Sequence, residues 1–173
     1  MNSMSRGYYD SCGKDKRKDD NCQALVKCGC PSSVQIPAIA QATTTTLTLA
    51  SLSLDTSCYC DPNIKLDFAS NVVSTVEFSG TISIQVFKQC RGQIAPVPVG
   101  SAWQLGGIAA DSSTTFSFFV CDSDSCVDDC CTYSVVATVN APSDEAVTAG
   151  TSINNSTLAA TVTCKNSCNR CHR

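Results

Sequence analysis

Fourteen cysteines give this 173-residue chain most of its capacity for chemistry. Thiols at this density form disulfides, bind soft metal ions, attach haem or act as nucleophiles. A chain of this length can bury a sizeable core without covalent staples, so the cysteines indicate durability or cross-links between chains. They are Cys12, Cys22, Cys28, Cys30, Cys58, Cys60, Cys90, Cys121, Cys126, Cys130, Cys131, Cys164, Cys168 and Cys171.

The spacing of these cysteines favours cross-linking over zinc binding. Structural zinc sites usually take their ligands from two matched C-x₂₋₄-C pairs, and only Cys168/Cys171 is a C-x₂-C here. In a C-x-C pair on a strand, both thiols lie on the same face and each can reach a different partner. The remaining close pairs are C-x-C or adjacent: Cys28/Cys30, Cys58/Cys60 and Cys130/Cys131.

A c-type haem site is the second alternative. Cys168, Cys171 and His172 match the attachment motif C-x-x-C-H, and His172 is the one histidine in the chain. The motif lies two residues from the end, with no following segment to cover a macrocycle and no second histidine as an axial ligand. A metal- or haem-binding β-domain therefore stays the alternative to a structural role, and we expect no cofactor.

Calcium binding and catalysis have weaker support. Asp122, Asp124, Asp128 and Asp129 lie in the segment CDSDSCVDDCC and offer carboxylates for calcium, but the spacing of an EF-hand is absent. A cysteine or serine nucleophile needs a nearby base, and His172 stands at the far C-terminus. The sequence therefore predicts that the protein is not an enzyme.

Three regions differ in composition. Residues 1–30 form a polar, charged segment that we expect to be a flexible, cysteine-bearing connector. Residues 31–164 form the predicted β-sandwich domain, and residues 165–173 form a basic, cysteine-rich tail. The overlapping sequons in Asn154-Asn155-Ser156-Thr157 are expected to form an ordinary turn.

The central region has the alternating pattern of β-strands. Period-2 runs rich in Val, Ile, Thr and Phe are separated by Gly, Pro, Asn, Asp and Ser, and no segment shows a helical period. We predict an all-β fold, an antiparallel sandwich of jelly-roll type with about eight strands. A bulge near Ala50–Ser51 is expected to bring Leu47, Leu49, Leu52 and Leu54 to one face. The inward positions are expected to be Ile64, Leu66, Phe68, Ile82, Ile84, Val86, Phe116, Phe118, Val120, Tyr133, Val135, Ala137, Val139, Leu158, Ala160, Val162 and Cys164, with a further strand within Val97–Leu105.

The charge pattern and the N-terminal sequence bear on partners and location. Basic ends flank an acidic body, which favours contact between copies of the chain and is unlike a nucleic-acid-binding surface. No apolar run is long enough to span a membrane, and no signal peptide is recognisable. Since abundant disulfides form outside the reducing cytosol, we expect an extracellular protein on a spore or cell surface, synthesised in a mother cell that later lyses.

The thiols of the connector can reach a neighbouring copy. About 20 extended residues span roughly 66–72 Å, more than the diameter of a domain. We expect intersubunit disulfides from Cys12, Cys22, Cys28 and Cys30. The receiving or intrachain partners would be Cys58, Cys60, Cys90, Cys121, Cys126, Cys130, Cys131 and Cys164.

Several segments resemble an uncharacterised β-rich domain family of spore-forming anaerobic bacteria: CGCPSS, IPAIAQATTTTLTLASLSLDTSCYCDP, ISIQVFKQCRGQ, FSFFVCDSDSC and DDCCTYSVV. The organisation is similar to that of endospore appendage subunits, whose jelly-roll domains bear a cysteine-containing N-terminal connector. This resemblance implies a head-to-tail homopolymer in which the connector inserts into preceding subunits and sheets of neighbouring subunits augment one another. It gives the connector role to Cys12, Cys22, Cys28 and Cys30, and a spore-coat anchoring protein is a further candidate partner.

Overall fold

The computed structural model describes residues 24–57, 59, 62–123 and 130–164. The described residues form antiparallel strands, because alternating apolar residues can each bury one face of a sheet. The strands are β1 (Leu25–Cys28), β2 (Ser32–Gln35), β3 (Thr44–Asp55), β4 (Pro62–Ser74), β5 (Phe78–Cys90), β6 (Val97–Ile108), β7 (Ser112–Asp122), β8 (Cys130–Asn140) and β9 (Thr151–Cys164). Within this part of the chain, no helix has the length and apolar character needed to cross a membrane.

Two sheets face each other across the core. One contains β1, β9, β4 and β7 in that order, with β2 also paired to β9, and the other contains β3, β8, β5 and β6. With β1 and β2 counted as one position, successive strands alternate between the sheets except for the hairpin of β5 and β6, which is the arrangement of a jelly roll. The predicted fold class is confirmed.

The first strand of the jelly roll is broken into β1 and β2. Both pieces pair with β9, at Leu25–Cys28 and at Ser32–Gln35, so nine strands occupy eight positions. A side chain at Gly29 would place its Cβ 3.0 Å from the Ser51 carbonyl oxygen, and Pro31 has no N–H for the ladder. The strand therefore breaks at Gly29–Pro31.

The interior positions follow the expected parity. Ile64, Leu66, Ile82, Ile84 and Val86 are each at most 1% exposed. Tyr133, Val135, Ala137, Val139, Leu158, Ala160 and Val162 are fully buried as well. Phe116, Phe118, Leu47 and Trp103 are partly buried and pack against this core.

Two irregular positions show how well local pattern predicts backbone. The register of β3 against β8 shifts between Thr48 and Ala50, so the bulge that returns Leu52 and Leu54 to the core exists and lies about one residue earlier than predicted. The turn expected around Asn154–Ser156 is wrong, since this segment lies inside β9. Asn155 has a φ of 54°, and the register against both neighbouring strands shifts there, which is a bulge that Asn tolerates better than most residues.

Candidate functional site at the cysteine end

Most of the described cysteines lie at one end of the sandwich, which we call the cysteine end. It is the end at which β3, β5, β7 and β9 finish and β4 and β8 begin. Cross-strand registers place these termini side by side, with Asp55 opposite Cys130, Cys90 opposite Cys131, and Pro62 opposite Cys164. The strand β1, which follows the N-terminal segment, begins here too, because Leu25 pairs with Val162.

The first sulfur feature of this end is a buried disulfide. Cys90 at the end of β5 is bonded to Cys131 near the start of β8, and the two residues are 3% and 4% exposed. The bond joins neighbouring strands inside the sandwich, where reductants and other thiols have little access. Cys164 at the end of β9 is disulfide-bonded as well. These cysteines stabilise the end of the domain itself.

The second sulfur feature is a set of free thiols. Cys28, Cys30 and Cys121 are exposed and Cys130 is half-buried, and all four are reduced. Cys130 and Cys131 point to opposite faces of β8 because successive residues of a strand alternate, so Cys131 is bonded in the core while Cys130 faces outward. Among the described cysteines, the buried Cys90 and Cys131 are bonded to each other, whereas the exposed Cys28, Cys30 and Cys121 are reduced.

Cys28 and Cys121 lie on the outer face of the five-stranded sheet. Cys28 pairs across the ladder with Ala159, and Cys121 with Lys65, so the two thiols lie at opposite edges of the same face. Between them a shallow groove of about 430 Å³ runs along the sheet, lined by Asp67, Phe68, Ala69, Ser117, Phe118, Phe119, Thr157 and Ala159. Phe119 is 61% exposed, with the Lys65 ammonium 5.1 Å from the centre of its ring. This outer face offers both apolar surface and reactive thiols.

A buried ion pair joins the two sheets next to the disulfide. The Lys88 Nζ lies 2.9 Å from the Asp122 Oδ2, and the two side chains are 7% and 6% exposed. The Tyr133 hydroxyl donates a hydrogen bond of 2.6 Å to the same Asp122 oxygen. The three residues come from β5, β7 and β8, so this cluster ties one sheet to the other at the cysteine end.

The cluster lies against a cleft between the edge strands β6 and β7. The cleft has a volume of about 210 Å³ and is lined by Lys88, Val97, Pro98, Val99, Gly100, Cys121, Asp122 and Ser123. Gly100 has a φ of 71°, and a Cβ there would come within 2.8 Å of Val120, so only glycine suits this wall of the cleft. The cleft gives small molecules such as water a route to the edge of the buried pair.

The expected cysteines are divided by the structure as follows. Cys90 and Cys131 are intrachain partners, while Cys121 and Cys130 are reduced. Cys28 ends β1 and Cys30 lies in the break that follows, so the described part of the expected connector lies along β9. Cys12, Cys22, Cys58, Cys60, Cys126, Cys168, Cys171 and His172 lie outside the described residues.

The candidate metal ligands have other uses or lie elsewhere. Asp122 points into the core toward Lys88, whereas Asp124, Asp128 and Asp129 lie outside the described residues. In residues 24–57, 59, 62–123 and 130–164, no three His, Cys, Asp or Glu side chains come together as ligands for an ion. The haem motif at Cys168–His172 also falls outside this part of the chain.

Lys88 and Tyr133 are site residues that the sequence analysis did not single out. The alternation of β5 could have predicted that Lys88 is buried. Its inward-facing positions run from Ile82 through Ile84 and Val86 to Lys88 and Cys90. In the same way, the parity of β7 continues from Val120 to Asp122. A lysine and an aspartate on the inward parity of two strands need a common partner, since burying either charge alone is costly.

Comparison with known sequences identifies the family. The sequence model described as "Domain of unknown function (DUF4489)" matches residues 22–163. The chain belongs to this family. In this DUF4489 chain the match covers β1 to β8 completely and β9 except for its last residue, Cys164. A search of curated proteins finds no significant match.

Solved structures share the fold of the DUF4489 chain. A structure of infectious bursal disease virus, Gx strain, superposes with a TM-score of 0.60 at 15% identity, covering 95% of this chain and 43% of the viral one. The Gt strain gives a TM-score of 0.57 at 14% identity, covering 86% and 36%. T=1 particles derived from the same virus give 0.56 at 13% identity, covering 91% and 36%. The DUF4489 chain thus spans less than half of these viral chains, and the likeness is one of fold.

Proposed function

We propose that this DUF4489 chain is a structural subunit that assembles with copies of itself and is locked by intersubunit disulfides. The observation that carries the proposal is the division of the described cysteines into bonded and reduced ones. Cys90 and Cys131 are buried and bonded, whereas Cys28, Cys30 and Cys121 are exposed and reduced. A domain that needed sulfur only for its own stability would have no use for accessible thiols in addition to a completed bond.

The cross-linking chemistry is oxidation of thiols on two different copies. Cys12 and Cys22 of one copy, together with Cys28 and Cys30, would bond to receiving thiols such as Cys121 or Cys130 of the next copy. Each new S–S bond releases two protons and two electrons, and an oxidant such as dioxygen accepts them. This requires an oxidising environment, which supports an extracellular product on a spore or cell surface.

Backbone edges support contact between sheets of neighbouring copies. Within the described part of the chain, β3, β6 and β7 each pair with a neighbour on one side only. Such strands present N–H and C=O groups to which a strand of another molecule can add. We infer that β-augmentation brings copies into register and that disulfides then make the contact permanent, giving a head-to-tail fibre.

The fold itself suits a subunit of an assembly. One of the structures that share this fold is of virus-derived T=1 particles. That likeness supports assembly of this chain by analogy of fold. The form that we propose is an extracellular fibre, an endospore appendage or a coat layer, without catalytic activity, to which a spore-coat protein provides an anchor.

Oxidation of purified protein tests the proposal. Reduced protein is exposed to air, then analysed on gels with and without reductant and imaged by negative-stain electron microscopy. We expect ladders that collapse to one band with dithiothreitol, and extended fibres in the images. The proposal would be contradicted if the fully oxidised sample contained monomers alone and peptide mapping showed every cysteine paired within its own chain.

Two matched variants locate the responsible thiols. Replacing Cys28, Cys30 and Cys121 by Ser removes exposed thiols without touching the core, and should reduce the ladder severalfold. Replacing Cys90 and Cys131 by Ala removes the same kind of atom from the interior, and should leave cross-linking intact at a temperature where the variant stays folded. The opposite order of effects would show that the exposed thiols are not the linking ones.

A further inference from the structure

We propose that Lys88 and Asp122 are joined by a covalent amide bond that links the two sheets. Three observations point to this. The Lys88 Nζ is 2.9 Å from the Asp122 Oδ2, the oxygen bonded to the carboxyl carbon that the nitrogen would attack. Both side chains are at least nine-tenths buried. The Tyr133 hydroxyl holds the same carboxyl group with a 2.6 Å hydrogen bond, which fixes its orientation toward the amine.

The reaction is a condensation that needs no oxidant and no cofactor. A proton moves within the pair from the ammonium of Lys88 to the carboxylate of Asp122, leaving a neutral amine and a carboxylic acid. The Nζ lone pair attacks the Asp122 carboxyl carbon, a C–N bond forms, and a C–O bond breaks. The departing hydroxyl takes a proton from the nitrogen, so one water molecule is released for each amide. The Tyr133 hydrogen bond stabilises negative charge on the carboxyl oxygen during the attack.

Burial favours the condensation through hydration. In water, an ammonium and a carboxylate are strongly hydrated, and that hydration must be removed before the nitrogen can approach the carboxyl carbon. In the interior the folded protein has already removed it. Fixed separation also removes the entropy cost of bringing the groups together.

The cleft between β6 and β7 provides the exit for the product. Lys88 and Asp122 both line its inner wall, beside Gly100 and Ser123. The released water can therefore leave the site. The restricted access of bulk water to the pair protects the amide from hydrolysis afterwards.

The chain contains an exposed pair of the same residue types as an internal control. On β4 the Lys65 Nζ lies 2.6 Å from the Asp67 Oδ1, closer than the buried pair, but the two side chains are 48% and 44% exposed. Bulk water hydrates both groups there. If proximity alone made the bond, Lys65 and Asp67 would link first, whereas the proposal requires that only the buried pair does.

An amide here would give a second covalent tie at the cysteine end. The disulfide Cys90–Cys131 joins β5 to β8 within one sheet. The amide would join β5 to β7 of the opposite sheet and would survive any reductant. The domain would then stay closed at this end even while its exposed thiols exchange. This inference does not depend on assembly, because the bond forms within one copy.

Mass spectrometry of the wild-type protein decides the question. The protein is allowed to fold, then denatured, reduced and alkylated at its 14 cysteines, so that disulfides no longer change its mass, and its intact mass is measured. We expect the mass of the fully alkylated sequence less one water. Trypsin should cut after Lys65 and Arg91 but not after Lys88, releasing residues 66–91 attached to residues 92–165. Fragmentation of this product should assign the junction to Lys88 and Asp122.

The outcomes are unambiguous. A full mass with cleavage after Lys88 would overturn the proposal and leave a buried ion pair, and it would leave the assembly tests unaffected. A missing water located at Lys65 and Asp67 would overturn it equally. Lys88→Arg keeps a cation at the site without a suitable nucleophile, and after the same treatment its mass should equal that of its fully alkylated sequence with no water lost. A variant that fails to fold does not matter, because the wild-type mass already decides the result.

Discussion

The two ends of the sandwich close over the core with different chemistry. At the cysteine end the strands are tied by a buried disulfide between Cys90 and Cys131 and by the buried charges of Lys88 and Asp122. At the opposite end, where β4 finishes and β9 begins, the ties are neutral. The hydroxyls of Ser74 and Thr151 lie 2.6 Å apart and are fully buried.

Loops seal this opposite end with apolar side chains. Ile39 and Val147 form an isolated β-bridge with reciprocal hydrogen bonds of 2.9 and 3.0 Å. Both residues are buried, as is Phe78 at the start of β5. In the described residues, every cysteine except Cys28 and Cys30 lies at the cysteine end instead. Within the part of the chain that the structure describes, thiols are thus absent from the opposite end and most lie at the cysteine end, so the proposed covalent junction between copies would be directional.

The largest expected effect comes from removing the buried disulfide. Replacing Cys90 and Cys131 by Ala should lower the free energy of unfolding by about 4 kcal/mol, because the bond closes a loop with a sequence separation of 41. Urea denaturation followed by fluorescence of Trp103 measures the difference, in protein whose accessible thiols have been alkylated in the folded state to prevent cross-linking.

Cys121→Ala is the control for that experiment. It removes a thiol at the same end but from an exposed position, so the free energy of unfolding should change by less than about 0.5 kcal/mol. Equal losses in the two proteins would remove the distinction between structural and accessible cysteines.

The core could be predicted from the sequence to a greater extent than the candidate site. Alternation of apolar residues was enough to predict the strands, the jelly-roll class and the interior, because burial on one face of a sheet leaves a period of two. The bulge of β3 was predictable for the same reason, since Leu49 and Leu52 could both be buried only if the register shifted.

The site was not predictable to the same extent. Pairing of Cys90 with Cys131 depends on which strands become neighbours, and that is a property of topology. The contact between Lys88 and Asp122 depends on how one sheet lies over the other. β1 was not predicted because its four residues, LVKC, are too few to show a period of two and lie beside a charged segment. Asn155 adopts its bulge because both neighbouring strands require it, which no local pattern states.

An intermediate effect is expected at the opposite end. Ser74 donates to the Val76 carbonyl oxygen at 2.7 Å and contacts the Thr151 hydroxyl. Ser74→Ala should lower the free energy of unfolding by about 1–3 kcal/mol, because the buried Thr151 hydroxyl loses its partner. Thermal or urea denaturation measures it.

The neighbouring Thr75 supplies the control at this end. Its hydroxyl donates to the Gly150 carbonyl oxygen at 3.1 Å, but the group is exposed. Thr75→Ala should change stability by less than about 0.5 kcal/mol, since water replaces the lost bond. A larger loss for Thr75 than for Ser74 would mean that burial does not decide the cost at the opposite end.

The smallest effect concerns pH at the cysteine end. The side chain and the backbone N–H of Ser57 both donate to Asp55, which lowers the pKa of this carboxyl below its ordinary value of 3.8. A carboxyl whose pKa is lower in the folded state stabilises the fold above its unfolded pKa, and that contribution disappears as pH falls through the folded pKa. Asp55→Asn should therefore be slightly less stable than wild type near neutral pH, and the difference should shrink as the pH falls below 3.8.

Urea titrations at about pH 7 and about pH 3 compare the two proteins. Ser57→Ala should reduce the same difference, because it removes one of the two donors. A gap between wild type and Asp55→Asn that widens in acid would have the wrong sign and would show that another group controls the acid stability of this end.

The break in the first strand has a dynamic consequence. Since Gly29–Pro31 separates β1 from β2, the four residue pairs between β1 and β9 can open while β2 remains in place. Short edge segments of this kind open locally at a small fraction of the global free energy of unfolding. Amide hydrogens of Leu25–Cys28 should thus exchange with deuterium long before those of β5 or β8. Each such opening carries the thiol of Cys28 away from the sheet for a moment, and this enlarges the volume in which it can meet another sulfur.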